Sequence, residues 1–354
     1  VGGRIAITGI SRHLAGRLAG QLEADPEVEA IFGFDLDEPE VDLERTEFVR
    51  ADIRNPLVLT ELEGRGIDTL VHLSIIATPT RVGGRGAMKE INVIGSLQLF
   101  AAAQKLTTLR RVVMKSTTAV YGSSAEDPAA FTEDLLPHEI PRHGYAKDAV
   151  EVAQAARDFA RRRPDVCMTI FRFANFMGSQ IETPLTRYLS LPIVPTALGH
   201  DPRIQFVHED DAVEVLRIAS RTERPGIFNV AGDGVLYLSQ AIRRCGKVPL
   251  PIPLFLASGT ASLIRRSGLV DFPADQVPLL VHGRVVDTTR LRRDFGFTPA
   301  FTTEAALDEF IRGHRSPRPL DPARVERIEG DVRALLGVPP RAPAVAAPSD
   351  AEAR

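Results

Sequence analysis

Gly9, Arg12 and Ala15, spaced by three, stand where the apolar run Ile5-Ala6-Ile7 passes through Thr8 and Ser11 into a stripe of Leu14, Leu18 and Leu22 at every fourth residue. A strand turning directly into a helix offers free backbone N–H groups and the positive end of a helix dipole, the requirements for holding a pyrophosphate. A dinucleotide loop would carry glycine at all three positions. Ala15 is a mild change, because the third glycine serves close packing of helix on strand. Arg12 is a larger one. The second glycine lets backbone reach phosphate, so a side chain there either points away or binds the phosphate itself, and a guanidinium suits a phosphate fork. Asp35 follows 26 residues after Gly9, at the end of the apolar run 31–34. An acid there accepts hydrogen bonds from an adenosine ribose and repels a 2′-phosphate. Asp37 and Glu38 follow closely, so the choice of Asp35 rests on strand register.

The elements that must position these residues are legible as alternating strands and helices. Ile5-Ala6-Ile7 suits a central parallel strand buried on both faces. Residues 47–54 predict a third strand ending in Asp52 and Ile53, a pair placed to lie beside an adenine. Residues 68–73 predict a fourth, which ends in Leu73 and runs into Ser74. Residues 110–114 read as a fifth. Such βα units in succession favour an α/β fold with a parallel, doubly wound sheet.

Composition narrows the partners. Length allows about two domains. The chain has 44% hydrophobic and 25% charged residues, and 43 basic against 46 acidic side chains leave a net charge of -3. No basic block interleaves with aromatics, which argues against a nucleic-acid partner. Cys167 and Cys245 are too few and too far apart for a metal cluster or disulfide framework, so no metal is expected and a reducing, cytoplasmic setting fits. No signal peptide is visible ahead of the first strand. The apolar stretch 251–264 contains prolines, glycine and serines and is too short to span a bilayer, so no transmembrane segment is expected. It reads as a substrate-side helix or lid.

A resemblance rests on an ordered set of landmarks. Val71-His72-Leu73 comes first, then Asn92-Val93-Ile94-Gly95-Ser96 and Lys115-Ser116-Thr117-Thr118-Ala119-Val120-Tyr121-Gly122. Arg172-Phe173-Ala174-Asn175, Gln205-Phe206-Val207-His208-Glu209-Asp210-Asp211 and Phe228-Asn229-Val230-Ala231-Gly232 follow, and Asp287-Thr288-Thr289-Arg290-Leu291 with Phe295-Gly296-Phe297 closes the series. Over residues 4–313 the chain resembles the extended short-chain dehydrogenase/reductase family, in its NAD-dependent epimerase/dehydratase branch, and is most similar there to UDP-glucose 4-epimerase-like proteins. The resemblance implies a Rossmann doubly wound parallel sheet with a smaller, discontinuous substrate-binding domain. The NAD-binding domain would take 1–175 and 204–235, and the substrate domain 176–203 and 236–315. Prolines 192, 195, 249, 251 and 253 suit irregular loops in the latter. A C-terminal helix is expected over 316–337, and the Pro- and Ala-rich tail 338–354 is expected to be disordered.

The resemblance also implies a chemistry. Members oxidise a sugar hydroxyl with a tyrosinate base, helped by a nearby Ser or Thr, while the nicotinamide of NAD takes the hydride. A free phenol has a pKa of about 10, so a neighbouring cation must favour the phenolate. The family supplies a lysine four residues after the tyrosine, one helical turn away. Tyr145 matches the tyrosine, but position 149 is alanine. Lys147 lies about 200° around a regular helix from Tyr145, which suits a surface pair with Glu151 unless the helix begins later. Thr117 matches the hydroxyl partner, with Ser116 as the rival if the register slips. Lys115 is the expected replacement cation, since strand alternation puts it on the side of Thr117; the alternative is a kink after Met114 that turns it to water. Asn92 is read as structural or as ordering a water. Asn175 and Arg203 are implied substrate contacts at the nucleotide diphosphate, and His208 a structural landmark.

The cofactor residues expected from both arguments are Thr8, Gly9, Ser11, Arg12, His13, Leu14, Asp35, Asp52, Ile53, Leu73, Ser74, Asn92 and Tyr145. The reading is a cytoplasmic enzyme acting on a UDP-sugar, as a 4-epimerase passing through a transient keto sugar. It would form a homodimer through helices near 89–103 and 145–159. The alternatives keep the fold: a catalytically impaired NAD-binding sensor or scaffold, or an NAD-dependent dehydrogenase of another alcohol such as a hydroxysteroid-like substrate. Because Asp35 would repel a 2′-phosphate, NAD(H) should bind more tightly than NADP(H). Titration of both cofactors checks this, and equal or better NADP(H) affinity would assign Arg12 to that phosphate instead.

Overall fold

The computed structural model describes residues 3–78, 83–135, 138, 141–253, 276–314, 327 and 330. Most of the stretch 251–264, nearly all of the helix expected over 316–337, and the tail 338–354 lie outside the described residues. Among the described residues a seven-stranded sheet carries the fold, with strands β1 (Gly3–Thr8), β2 (Val28–Asp35), β3 (Thr46–Arg50), β4 (Thr69–His72), β5 (Arg111–Thr117), β6 (Cys167–Phe173) and, as the last, β11 (Gly226–Val230). All neighbours pair in parallel, with β1 between β2 and β4, β5 and β6 beyond β4, and Gly226–Val230 at the far edge. The doubly wound parallel sheet is therefore present. Its strands are buried on both faces because their alternate residues feed two cores: Ile5, Ile7, Val71 and Val113 pack on one side, and Ala6, Leu70, Val112 and Met114 on the other.

Helix α1 (His13–Glu23) buries Leu14, Leu18 and Leu22 as the four-residue spacing predicts. Helix α2 (Val58–Glu63) follows β3. After β4, α3 (Arg85–Lys89) runs through a π-helical turn, Glu90–Gly95, into α4 (Ser96–Ala103). Asn92 sits in that π turn, fully buried; its Oδ1 accepts from Ile76 N at 2.8 Å and its Nδ2 donates to Ile76 O at 2.9 Å. It is a structural clamp on the loop after β4, and its Nδ2 also reaches Asp148 Oδ2 at 3.4 Å. Helix α5 (Gly144–Arg162) buries Ala149, Val152, Ala156 and Phe159. Strand β5 continues to Thr117, three residues past the expected end, so the chain does not kink after Met114.

Among the described residues, three two-stranded sheets lie outside the main one. In order, β7 (Asn175–Met177) pairs with β10 (Phe206–His208), β9 (Arg203–Ile204) with β12 (Leu236–Tyr237), and β8 (Ile193–Ala197) with β13 (Val248–Ile252). Pro195, Pro249 and Pro251 fall within β8 and β13 rather than in irregular loops. A two-stranded sheet leaves one edge of each strand unpaired, and a proline without an N–H loses nothing there. A third apolar cluster, with Met177, Tyr188, Phe206 and Phe310, joins these strands to α6 (Pro184–Ser190), α8 (Leu238–Arg244) and the last helix, α10 (Thr303–Gly313); α7 (Glu209–Arg221) packs on α1 in the main body. Helix α9 (Val277–His282) precedes α10.

A buried polar chain ties β1, β4 and α4 together. The Ser96 hydroxyl donates to Asn92 O at 2.5 Å, so it accepts from His72 Nε2 at 2.8 Å, which leaves His72 Nδ1 to accept from the Thr8 hydroxyl at 2.8 Å. Thr8 Oγ1 also accepts from Leu73 N at 3.3 Å. The Thr8 side chain is thereby engaged inside the core, where it is fully buried. Burial, reinforced by the charge of Lys115, lowers His72 to about 3. Unfolded, the same imidazole titrates near 6.5 and binds a proton that the native state refuses, so stability falls as pH drops below about 6.5. Between pH 6.5 and pH 5 this one group should remove about 2 kcal/mol. Urea unfolding across that range checks it: His72→Gln should flatten the pH dependence by about one proton, and an unchanged slope would reject the assignment.

Candidate active site

The nucleotide end of the site is built on the turn from β1 to α1. Gly9 has φ 79°, and a Cβ there would lie 3.0 Å from Ser74 Cα and 3.2 Å from the Leu73 carbonyl carbon. Only glycine combines that backbone with that approach. Leu73 and Ser74 thus form the floor under the loop. Asp35, at the end of β2, accepts from Ser11 N at 3.2 Å, Ser11 Oγ at 2.5 Å and Leu36 N at 2.8 Å. Ser11 therefore aims Asp35 from both its backbone and its hydroxyl. Asp35 lines a cleft with Gly9, Arg12, Asp52, Ile53 and Ser74. Arg54 grips Asp52 from Nε at 2.9 and 3.0 Å and Nη2 at 2.6 Å, and this bonding holds its carboxyl below the usual range. Ile53 supplies the apolar wall.

Arg12 lies where this cleft meets a second cavity, since it lines both. Its Nε is buried and has no hydrogen-bond partner. An unanswered N–H on a cation at that junction fits an anion such as a pyrophosphate. Next to it His13 Nε2 meets Glu209 Oε2 at 2.5 Å, and Arg17 Nη1 meets the same oxygen at 3.3 Å. Glu209 is only 2% exposed and also accepts from Gln180 N at 2.9 Å. The first residue of α7 thus steers a side chain of the loop, and His13 and Leu14 both line the cavity.

The cavity gathers Lys115, Ser116 and Thr117 from the end of β5, Tyr145 from the first turn of α5, Asn175 from β7, and Arg284 from the segment after α9. Thr117 Oγ1 accepts from Ala119 N at 3.1 Å, capping the 3-10 turn Thr118–Tyr121, which leaves its hydroxyl hydrogen to donate elsewhere. Burial lowers the Lys115 ammonium to about 8, with like-charge repulsion from Arg12 adding to it.

Three sequence candidates sit elsewhere. Lys147 reaches Glu151 at 3.7 Å on the outer side of α5, because the helix begins at Gly144 rather than later. Arg203 is exposed in β9 and donates to Ala129 O at 3.0 Å, away from the cavity, so it is not placed to meet a substrate there. His208 is a buried landmark, stacked on Phe301 at 3.7 Å. Ala149 is 2% exposed within the apolar core and carries no charge to offer Tyr145.

Sequence reasoning did not single out Arg284, a lone arginine ahead of Asp287, nor the clamp formed by Arg85. Arg85 pairs bidentately with buried Asp148 at 2.6 and 2.7 Å and donates to Gly144 O at 2.8 Å, which anchors the start of α5 and hence Tyr145. Asp148 had a signal, a carboxylate inside an otherwise apolar helical stripe; Arg85, far away in sequence, had none.

Among described residues, no helix is long and apolar enough to cross a membrane. The chain is 42% identical over 330 residues to an uncharacterized protein of Mycobacterium tuberculosis, covering 92% of this chain and 88% of that protein. It superposes on the crystal structure of UDP-glucose 4-epimerase with UDP-glucose from Thermotoga maritima at TM-score 0.67 and 18% identity, covering 88% of this chain and 98% of that one. UDP-glucuronic acid 4-epimerase from Bacillus cereus, in complex with UDP-glucuronic acid and NAD, gives TM-score 0.66 and 17% identity over 88% and 99%. dTDP-glucose 4,6-dehydratase from Bacillus anthracis, in complex with NAD, gives 0.66 and 16% over 89% and 97%. These likenesses establish the fold. The profile of the NAD dependent epimerase/dehydratase family matches residues 5–231, and the chain belongs to that family.

Proposed function

We propose that the chain is an NAD-dependent nucleotide-sugar epimerase, acting on a UDP-sugar as a 4-epimerase. The observation that carries this reading is the meeting of Tyr145 and Thr117 in one cavity that opens, past Arg12, into the cleft of Asp35. Asp35 would receive the adenosine ribose, Ile53 the adenine and Arg12 the pyrophosphate. NAD, when bound, accepts a hydride and returns it. The chain's own residues do the rest. Tyr145 Oη takes the proton of the sugar hydroxyl, Thr117 donates to the same oxygen as charge develops, and Asn175 holds the diphosphate side. For epimerisation the keto sugar must present its other face before the hydride comes back. The domain division at 1–175 with 204–235 against 176–203 with 236–315 belongs to this reading, as does a cytoplasmic location. Exposed Ile94 and Leu97, 46% and 47% accessible on the helix after β4, support the homodimer.

Incubating the protein with NAD and UDP-sugars, with mass spectrometry of what it retains on purification, tests the reaction class. Interconversion of C4 epimers without accumulating NADH is expected. Net NADH release would identify a dehydrogenase of another alcohol, and retained NAD without turnover would identify a sensor or scaffold.

Arg12→Ala removes a charge-assisted bond worth on the order of 1.5 to 3 kcal/mol, so NAD affinity should fall about tenfold or more. Calorimetric titration reads this directly, and unchanged affinity would place Arg12 on the solvent side.

A further inference from the structure

Tyr145 needs a nearby positive charge to serve as a base at neutral pH, and its own helix offers none. Ala149 is buried in apolar core, Lys147 is paired with Glu151, and Asp148 is held by Arg85. The cavity holds a cation on another element. Arg284 is fixed in orientation, because its Nε donates to Gly122 O at 2.7 Å and its Nη2 to Ser123 Oγ at 3.1 Å. Gly122 closes the 3-10 turn at φ 73°, a left-handed backbone that favours glycine. That same turn is capped by Thr117. One short turn therefore places both the hydroxyl partner of the reaction and the carbonyl that seats the guanidinium. Arg284 and Tyr145 line the same cavity and interact electrostatically.

We propose that Arg284 is the positioning cation for Tyr145, holding its phenolate from across the cavity in place of a lysine one turn along the helix. This rests on Tyr145 being the base, and it adds the source of the charge in a role the sequence reading gave to Lys115. Burial lowers Arg284 to about 10, with Asp127 and Tyr145 pulling it back up. Lys115, lowered to about 8 and coupled to Arg12 and His72, is the cation that fades first as pH rises. Other charged groups lining the cavity are Arg12, His13 and Glu182, and Glu182 already reaches Arg187 at 3.7 Å. In the oxidation the substrate O–H proton goes to Tyr145 Oη and the C–H electron pair leaves as hydride to NAD. Arg284 forms and breaks no bond.

The test is an ultraviolet phenol–phenolate titration of the purified protein without substrate. The chain has four tyrosines. Burial pushes Tyr121 and Tyr188 up, so they titrate late, and subtracting a Tyr145→Phe titration separates Tyr145 from surface Tyr237. In Arg284→Gln the Tyr145 midpoint should rise by about one pH unit or more, and Arg284→Lys should restore most of the difference. Lys115→Ala should move it less. Asp127→Asn, which frees Arg284 from a competing carboxylate, should lower it. Circular dichroism and NAD affinity verify that each variant is folded. An unmoved midpoint in folded Arg284→Gln overturns the proposal, as does a larger shift in Lys115→Ala. Should Arg284→Gln not fold, Asp127→Asn decides: a lower midpoint supports the proposal and an unchanged one overturns it. Turnover that survives Tyr145→Phe would reject the tyrosinate reaction while leaving the charge coupling intact, so the two failures are separable.

Discussion

The close approach of the first loop to the end of β4 is the constraint on which the site depends. Gly9 can lie against Leu73 and Ser74 only because it has no Cβ and tolerates a positive φ. That approach sets where α1 starts, and α1 is locked down by three leucines on one stripe. Its start in turn decides where Arg12 and His13 project. Beneath the loop, the Thr8, His72, Ser96 and Asn92 chain fixes β1, β4 and the helix beyond to one another through neutral hydrogen bonds. Such a network rigidifies only when every member is satisfied. Here each hydroxyl and ring nitrogen has its partner, so the floor of the site is rigid at a place where the chain has surrendered two of three loop glycines.

Charge is distributed unevenly around that floor. Arg12, Lys115 and Arg284 all face the cavity, whereas the carboxylates nearby are spent on other partners: Asp52 on Arg54, Asp148 on Arg85, Glu209 on His13 and Arg17. Cations gathered in a partly desolvated space repel one another, and the lowering of Lys115 by Arg12 is that repulsion at work after burial itself. A folded chain tolerates this most readily where anions are to arrive, as the proposed NAD and nucleotide-sugar ligands would supply. The same crowding makes the empty site a less stable arrangement than the filled one.

Sheet order and helix stripes were legible because they follow from periodicity, which is local. Leu14, Leu18 and Leu22 announce α1 by themselves, and Asp35 is placed by counting from Gly9. The extension of β5 to Thr117 was only half legible, since Lys-Ser-Thr reads equally as strand or turn until β6 is seen pairing with it through Phe173. Arg284 and Arg85 were illegible for a different reason. Each works by meeting a residue more than fifty positions away, Gly122 in one case and Asp148 in the other, and no spacing rule joins them.

With Arg12 in place of a loop glycine, the proposed hold on a phosphate rests on different physics. Backbone N–H groups are already ordered when the ligand arrives, so they cost little conformational entropy, whereas a long side chain must be held in one rotamer. The chain reduces that cost by burying the guanidinium stem beside the α1 start, where Nε is out of water before any anion binds. A buried N–H without a partner is a penalty carried in the free protein and relieved on binding, which shifts part of the affinity from loop shape to electrostatics. Binding through a full charge is also more sensitive to salt than binding through backbone dipoles. Absence of the glycine and absence of the helical lysine thus push in the same direction: under the proposed reading, work done elsewhere by backbone and by one helix would fall here to arginines that reach in from separate elements.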